Sequence, residues 1–288
     1  MAAVQTSNFR NSNELYFCAN FKLDYKEQTV TNLTEKENME TISKDSIMKY
    51  KNFHLWMLIP FVISILGFSY SYYFNLANAT FHQHVHGISA TLWYILVIVQ
   101  PYLIVRKQSF QRHKTLGTIG IILAGIVAGS AFAIIPKNID NVKALDVNGF
   151  FNPTFAYFAT IIDFVLVSMF VLSVSLAILN IKKRKLADHV QWLMASVFFV
   201  LSPAMLRMLG IGAIFLNEGN MEGITMVKMS IPTMIVMIAL IVTFYYKYGS
   251  FKHPSFKLLV ICHIPFLFVG WIGDNEFIRN VASAIFKV

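Results

Sequence analysis

Residues 153–181 read PTFAYFATIIDFVLVSMFVLSVSLAILNI and contain one charged side chain, Asp163. A helix that spans a bilayer needs about 20 mostly apolar residues, so this run is long enough to cross a membrane. Its apolar residues are continuous rather than alternating, which favours a helix over a membrane-spanning strand. Comparable runs occur at roughly 54–74, 84–105, 115–135, 153–181, 190–215, 229–248 and 257–274. The sequence therefore predicts an all-α integral membrane bundle of about seven transmembrane helices.

The composition leads to the same class of protein. Of the 288 residues, 56% are hydrophobic and 14% are charged, and the mean hydropathy is +0.56. Soluble domains carry about 25% charged residues, so this composition argues against a disordered chain, a coiled coil and a conventional soluble enzyme. Two cysteines, Cys18 and Cys262, suggest neither a disulfide framework nor a cysteine metal motif.

The positive charge predicts the orientation of the bundle. Residues 1–52 hold seven basic and seven acidic side chains, so the net charge of +9 lies beyond them. The basic residues cluster in alternate loops, within 106–114, 182–185 and 247–257. Because basic loops face the cytoplasm, we expect a cytoplasmic N-terminus and an outside C-terminus in a bacterial inner membrane. The lipid bilayer is then the partner of these charges, and nucleic acid is not.

The chain divides at about residue 52. Residues 1–52 are polar and predict a disordered cytoplasmic tail, whereas residues 53–288 form the transmembrane domain. The tail lacks the continuous apolar region of a cleavable signal peptide. Translation from Met48 is an alternative, since Met48 stands directly before the first apolar run.

Two ionisable residues stand inside the apolar runs, where such groups are costly. Asp163 lies about ten residues into its run, and Arg207 lies near the far end of the run at 190–215. Both are predicted in the outer half of the membrane. They form either a structural ion pair or a site that handles an anion or a proton.

A cluster of histidines opens the second run. His82 and His86 are four residues apart and share a helix face, so they are candidate ligands of one metal ion. Further along the same helix, His86, Trp93 and Gln100 follow at spacings of seven and form one stripe. This stripe predicts the lining of a binding pocket, and interfacial packing is the alternative.

Two histidines at the cytoplasmic side predict a cofactor site. His113 and His189 each begin a helix at a similar depth, which is the requirement for two axial ligands of a membrane haem b. His54 and His263 are further inner histidines that can substitute for either. Anchoring at the lipid headgroups is the alternative for His113 and His189.

These motifs, taken in order, resemble a bacterial family of multi-pass membrane proteins of unassigned function. The resemblance covers about residues 82–212, and its motifs are His86-Gly87, Gln100, His113-Lys114-x-x-Gly117, His189-x-x-Trp192-x-Met194 and Arg207. Lys114 replaces the arginine usual in that family, and one extra residue separates Trp192 from Met194. The resemblance implies the helical fold and the importance of those positions, but it implies no reaction.

Three functions remain open. The first is binding of a cofactor or small ligand within the bundle, with electron transfer between haem b and a quinone as the leading named candidate. The second is a small-molecule or ion transporter or sensor that uses the outer histidines with Asp163 and Arg207. The third is a metal-dependent membrane hydrolase, in which His82, His86 and Asp163 hold one ion. The oligomeric state and any catalytic residue stay open.

Overall fold

The computed structural model describes residues 47–140 and 142–286, and every regular element within them is helical. The predicted tail falls on residues that lie almost entirely outside this part of the chain. The α-helices are α1 (Phe53–Trp56), α2 (Leu58–Gly67), α3 (Phe81–Val105), α4 (Phe110–Ile134), α5 (Pro153–Lys182), α6 (Leu186–Phe199), α7 (Ser202–Leu216), α8 (Met226–Tyr248), α9 (Pro254–His263), α10 (Val269–Asp274) and α11 (Glu276–Phe286).

Within residues 47–140 and 142–286, five helical segments are long and apolar enough to cross a membrane. They are Phe81–Val105, Phe110–Asn138, Pro153–Lys182, Met226–Tyr248 and Pro254–Asp274. The pair α6 and α7 passes the same criterion together, and Phe53–Gly67 is a shorter apolar segment. These helices indicate a multi-pass membrane protein and confirm the predicted all-α class.

Three of the predicted runs are not single straight α-helices. The run at 190–215 bends by 45° between α6 and α7. Pro203 stands at the start of α7, where its ring and missing N–H prevent a bond to the carbonyl four residues earlier. Pro265 likewise begins a 3₁₀ segment, Ile264–Phe268, between α9 and α10. The first run ends as a π-helical turn, Ser69–Tyr73.

Helix α5 is the centre of the bundle. It has 30 residues and is therefore roughly 45 Å long. It packs against α4, α6, α10 and α11, and Phe170 and Ala177 on it are fully buried. The buried face of α5 therefore lies between several neighbouring helices.

Small residues set the distance between helices. Apolar side chains gain little by leaving lipid, so helices in a membrane associate through close packing. At Gly67 of α2, an added Cβ would overlap the backbone of Ala204 on α7. At Gly120 of α4, it would lie 2.6 Å from the Leu96 side chain of α3. These contacts bring α2, α3, α4 and α7 close around the space described next.

Candidate functional site

A cavity of about 150 Å³ lies between α2, α3, α4, α5 and the α6–α7 bend. Most of its wall is apolar, formed by residues such as Val127, Leu166 and Phe170. The side chains with polar atoms on the wall are Ser64, His86, Trp93, Tyr94, Asn138, Asp163 and Arg207. The structure thus brings His86, Asp163 and Arg207, which are far apart in sequence, to one cavity.

Asp163 is placed by α5 and held by one hydrogen bond. Asn138, at the end of the 3₁₀ turn after α4, donates from Nδ2 to its Oδ2 at 3.2 Å. Among the described residues no donor reaches Oδ1. The carboxyl group is therefore oriented on one side and available on the other.

Arg207 lies in the second turn of α7 and uses few of its donors. Its Nη1 donates to the Pro203 carbonyl at 3.0 Å, and its guanidinium lies 5.1 Å from the centre of the Phe68 ring. Arginine has five N–H donors, and no described residue accepts from the others. No Arg207 nitrogen lies within 4.0 Å of an Asp163 oxygen. The two groups thus line one cavity without forming the direct ion pair that was one of the two predictions.

His86 is held on one ring nitrogen. Its Nδ1 lies 3.1 Å from the Ser130 hydroxyl of α4, and that hydroxyl also contacts the Val127 carbonyl. Ser130 has one proton, so Nδ1 donates to the hydroxyl while that proton is donated to the Val127 carbonyl and accepts from the hydroxyl otherwise. In either tautomer a neutral His86 keeps one ring nitrogen with a lone pair.

Trp93 lines the same cavity and carries a buried donor. Its side chain packs edge-on against Phe170, with 5.2 Å between ring centres. The residue is only 3% exposed, and its indole N–H has no hydrogen-bond partner among the described residues. A buried donor without a partner costs about 1–3 kcal/mol, so the site carries an unmet hydrogen bond.

Gln100, the third member of the predicted stripe, lies away from the cavity. Oriented so that both of its amide atoms have partners, it accepts from the Gly117 N–H at 2.8 Å and donates to the carbonyl and Nδ1 of His113. The same Nδ1 lies 3.4 Å from the main-chain carbonyl of Gln100, which can only accept. The two contacts therefore require opposite tautomers of His113.

His189 lies in the first turn of α6, and its tautomer is defined by a carbonyl. Its Nδ1 donates to the Ala177 carbonyl of α5 at 2.9 Å, which leaves Nε2 with a lone pair. The imidazoles of His113 and His189 are close enough to interact electrostatically. The two residues predicted as haem ligands thus both lie at the end of the bundle opposite to the cavity.

The remaining predicted histidines have other surroundings. His82 is exposed and packs beside Phe81, while His86 faces the cavity. No group of three potential metal ligands occurs in the described part of the chain, so His82, His86 and Asp163 do not form one. His263 uses both nitrogens, for Ser202 and the Leu259 carbonyl, and has no capacity for a ligand. His54 is buried against Tyr102.

A further polar network joins α6, α8 and α9. His253 lies 3.6 Å from Asp188 and 2.6 Å from the Ser255 hydroxyl, which also contacts the Tyr245 hydroxyl. Burial lowers the pKa of His253, and the Asp188 carboxylate opposes that effect. Ser255 is fully buried, so it is not accessible as a nucleophile. The network therefore caps α9 and holds three helices together.

Several residues of the cavity were not identified from the sequence. Asn138 and Ser130 hold Asp163 and His86, yet each occurs as an ordinary polar residue near a helix end. Pro136, just before Asn138, signals a turn but not its direction. Phe68 looks like any other residue of an apolar run. Only the packing of the helices reveals their roles.

Comparison with known proteins adds no relative: no family model, curated protein or solved structure matches this chain. The resemblance to a bacterial membrane family therefore stays a prediction.

Proposed function

We propose that the chain crosses a bacterial inner membrane seven times, with its N-terminus in the cytoplasm. The six long apolar segments, counting α6 and α7 as one, supply six crossings, and Phe53–Gly67 with its π-helical turn supplies the seventh. The basic residues of alternate loops support this orientation. It places the cavity in the outer half of the membrane, with His113 and His189 near the inner surface.

Within that bundle, the protein binds a small ligand in the cavity, as a transporter or sensor. One observation supports this above all: three ionisable side chains from three helices line one cavity, and none is fully paired. Ionisable groups inside a membrane are costly and mark ligand or ion pathways. A purely structural role would favour a direct Asp163–Arg207 contact, and none is present.

Three matched probes test this function: propionate, propionamide and propylammonium. At least one is expected to raise the unfolding temperature of the purified full chain. Ala131→Leu adds three carbons to the cavity wall and should abolish the shift, whereas Ala133→Leu, on the exposed face of the same helix, should retain it. No shift with any probe, or equal shifts in both variants, contradicts the proposal.

Haem b binding, with a quinone as redox partner, is the second candidate, and His189 favours it. A histidine that donates Nδ1–H to a carbonyl and keeps a free Nε2 has the arrangement typical of a metal ligand. Gln100 contacts Nδ1 of His113, the other predicted axial ligand, through its side-chain amide and its main-chain carbonyl. A free Nε2 on His113 requires the tautomer that donates to the carbonyl.

The optical spectrum tests this second candidate. Protein produced with ample haem is expected to show a Soret band that His189→Ala abolishes and His82→Ala retains. A purified protein without the band rules out haem binding.

A further inference from the structure

The size of the cavity limits its ligand. A cavity of about 150 Å³ is large enough for a molecule the size of benzene, whereas sites for drug-sized ligands and cofactors span about 300–1,000 Å³. Val127, Leu166 and Phe170 give it a largely apolar wall. The ligand is therefore small and has a short hydrocarbon part.

Arg207 determines the polar group of the ligand. Its planar guanidinium presents paired donors, and such a fork matches the two oxygens of a carboxylate. Only one of its nitrogens donates to a described residue, the Pro203 carbonyl. The Trp93 side chain on the same wall carries a buried indole N–H without a partner among the described residues. These groups favour an acceptor-rich ligand over a cationic one.

The charge balance of the cavity adds a second requirement. The titratable side chains on its wall are His86 of α3, Tyr94 of α3, Asp163 of α5 and Arg207 of α7; α2, α4 and α6 contribute none. With His86 and Tyr94 neutral, Arg207 and Asp163 balance each other. A bound carboxylate would then add an uncompensated negative charge in a medium where such a charge is expensive. One proton taken up with the ligand restores neutrality.

The cavity has two places for that proton. A neutral His86 has one ring nitrogen with a lone pair, and Oδ1 of Asp163 has no donor among the described residues. The proton is either shared between Asp163 and the ligand or carried by His86. In both cases Asp163, His86 and the ligand together have one net negative charge, which the guanidinium of Arg207 balances. Asn138 keeps the Asp163 carboxyl oriented in either case.

We propose that this cavity binds a small aliphatic monocarboxylate together with one proton, with the carboxylate on Arg207 and the hydrocarbon chain against Trp93 and Phe170. The proposal rests on the proposed function and specifies its ligand. The binding step forms hydrogen bonds only, and the proton comes from water.

Calorimetric titration of propionate into the purified full chain tests the proposal. If one proton binds with each propionate, the dissociation constant should rise about tenfold per pH unit. This slope is expected at pH values where free propionate and the proton-accepting group of the empty cavity are both unprotonated. Buffers of different ionisation enthalpy should report an uptake of one proton per propionate. Propionamide, which has the same shape without the charge, should bind more weakly and independently of pH.

Two variants separate the roles of the charges. Arg207→Lys keeps the charge but loses the fork, and it should weaken propionate binding at least tenfold, whereas Arg112→Gln on an exposed helix face should not. Asp163→Asn imitates the protonated carboxyl, so it should retain binding and lose the pH dependence. Asp163→Asn is expected to bind propionate, and retained binding shows that the variant is folded. The lost pH dependence therefore cannot result from misfolding.

The outcomes distinguish this inference from the proposed function. If propionamide or propylammonium alone binds wild type but not Ala131→Leu, the cavity is a ligand site and the carboxylate inference is wrong. Propionate binding that is independent of pH, or unchanged in Arg207→Lys, also overturns the inference. If none of the three probes binds, both the inference and the proposed function fail.

Discussion

Asp163 and Arg207 show how single polar side chains are accommodated inside this apolar bundle. Each has one hydrogen bond to its immediate surroundings, from Asn138 and to the Pro203 carbonyl, and neither touches the other. Burying two charges costs several kcal/mol per ion unless their remaining hydrogen bonds are satisfied. Both residues line the cavity, so the ligand we propose supplies the remaining hydrogen bonds.

Asn138→Ala tests the support of Asp163. The substitution removes its only described donor, and hydrogen bonds to charged groups contribute about 1.5–3 kcal/mol. We therefore expect a lower unfolding temperature at neutral pH, together with weaker propionate binding. Asn148→Ala, in an exposed loop, is the control. Equal unfolding temperatures for the two variants would show that Asn138 does not stabilise Asp163.

At the scale of helices, the cavity exists because two elements depart from simple straight spans. The bend at Pro203 turns α7 so that Arg207 reaches the cavity, and Ser202 fastens the start of α7 to the buried His263 with a 2.7 Å hydrogen bond. The 3₁₀ turn after α4 returns Asn138 to α5. Pro203 and Pro136 stand at these places, but the direction of each bend depends on the packing of neighbouring helices.

Gly67→Ala tests the close approach of α2 and α7. The added methyl group overlaps the backbone carbonyl of Ala204, which cannot move as a flexible side chain would. Overpacking of this kind costs about 1–3 kcal/mol, so the unfolding temperature should fall.

Gly125→Ala is the matched control for Gly67→Ala. It lies in a helix with open space around the added atom, and it should change stability by no more than about 1 kcal/mol, in the favourable direction. A larger loss at Gly125 than at Gly67 would contradict the packing described here.

At the scale of the whole molecule, the sequence predicts the class of protein and the residues of interest better than it predicts their partners. Continuous apolar runs identify the helices, and the cost of charge in a membrane singles out His86, Asp163 and Arg207. Which helix faces meet is a property of the assembled bundle. The sequence therefore does not separate the cavity residues Trp93 and His86 from Gln100, which lies on the same stripe but contacts α4.

The orientation of the bundle is a prediction at this scale. On a Cys18→Ser, Cys262→Ser background, Arg184→Cys should react with a membrane-impermeant maleimide only after the membrane is opened. Asn148→Cys, in the loop between α4 and α5, should react in intact cells. The reverse pattern would place the cavity in the inner half of the membrane and overturn the proposed topology.

The central claim is that a carboxylate binds against Arg207 inside the cavity, and solid-state NMR in lipid bilayers measures this contact directly. Protein labelled with ¹⁵N in its arginine guanidinium groups is combined with propionate labelled with ¹³C at the carboxyl carbon. We expect dipolar coupling between the two labels at hydrogen-bonding range, and its loss in Arg207→Lys but not in Arg112→Gln. Bound propionate without this coupling, or with coupling that survives Arg207→Lys, would contradict the account.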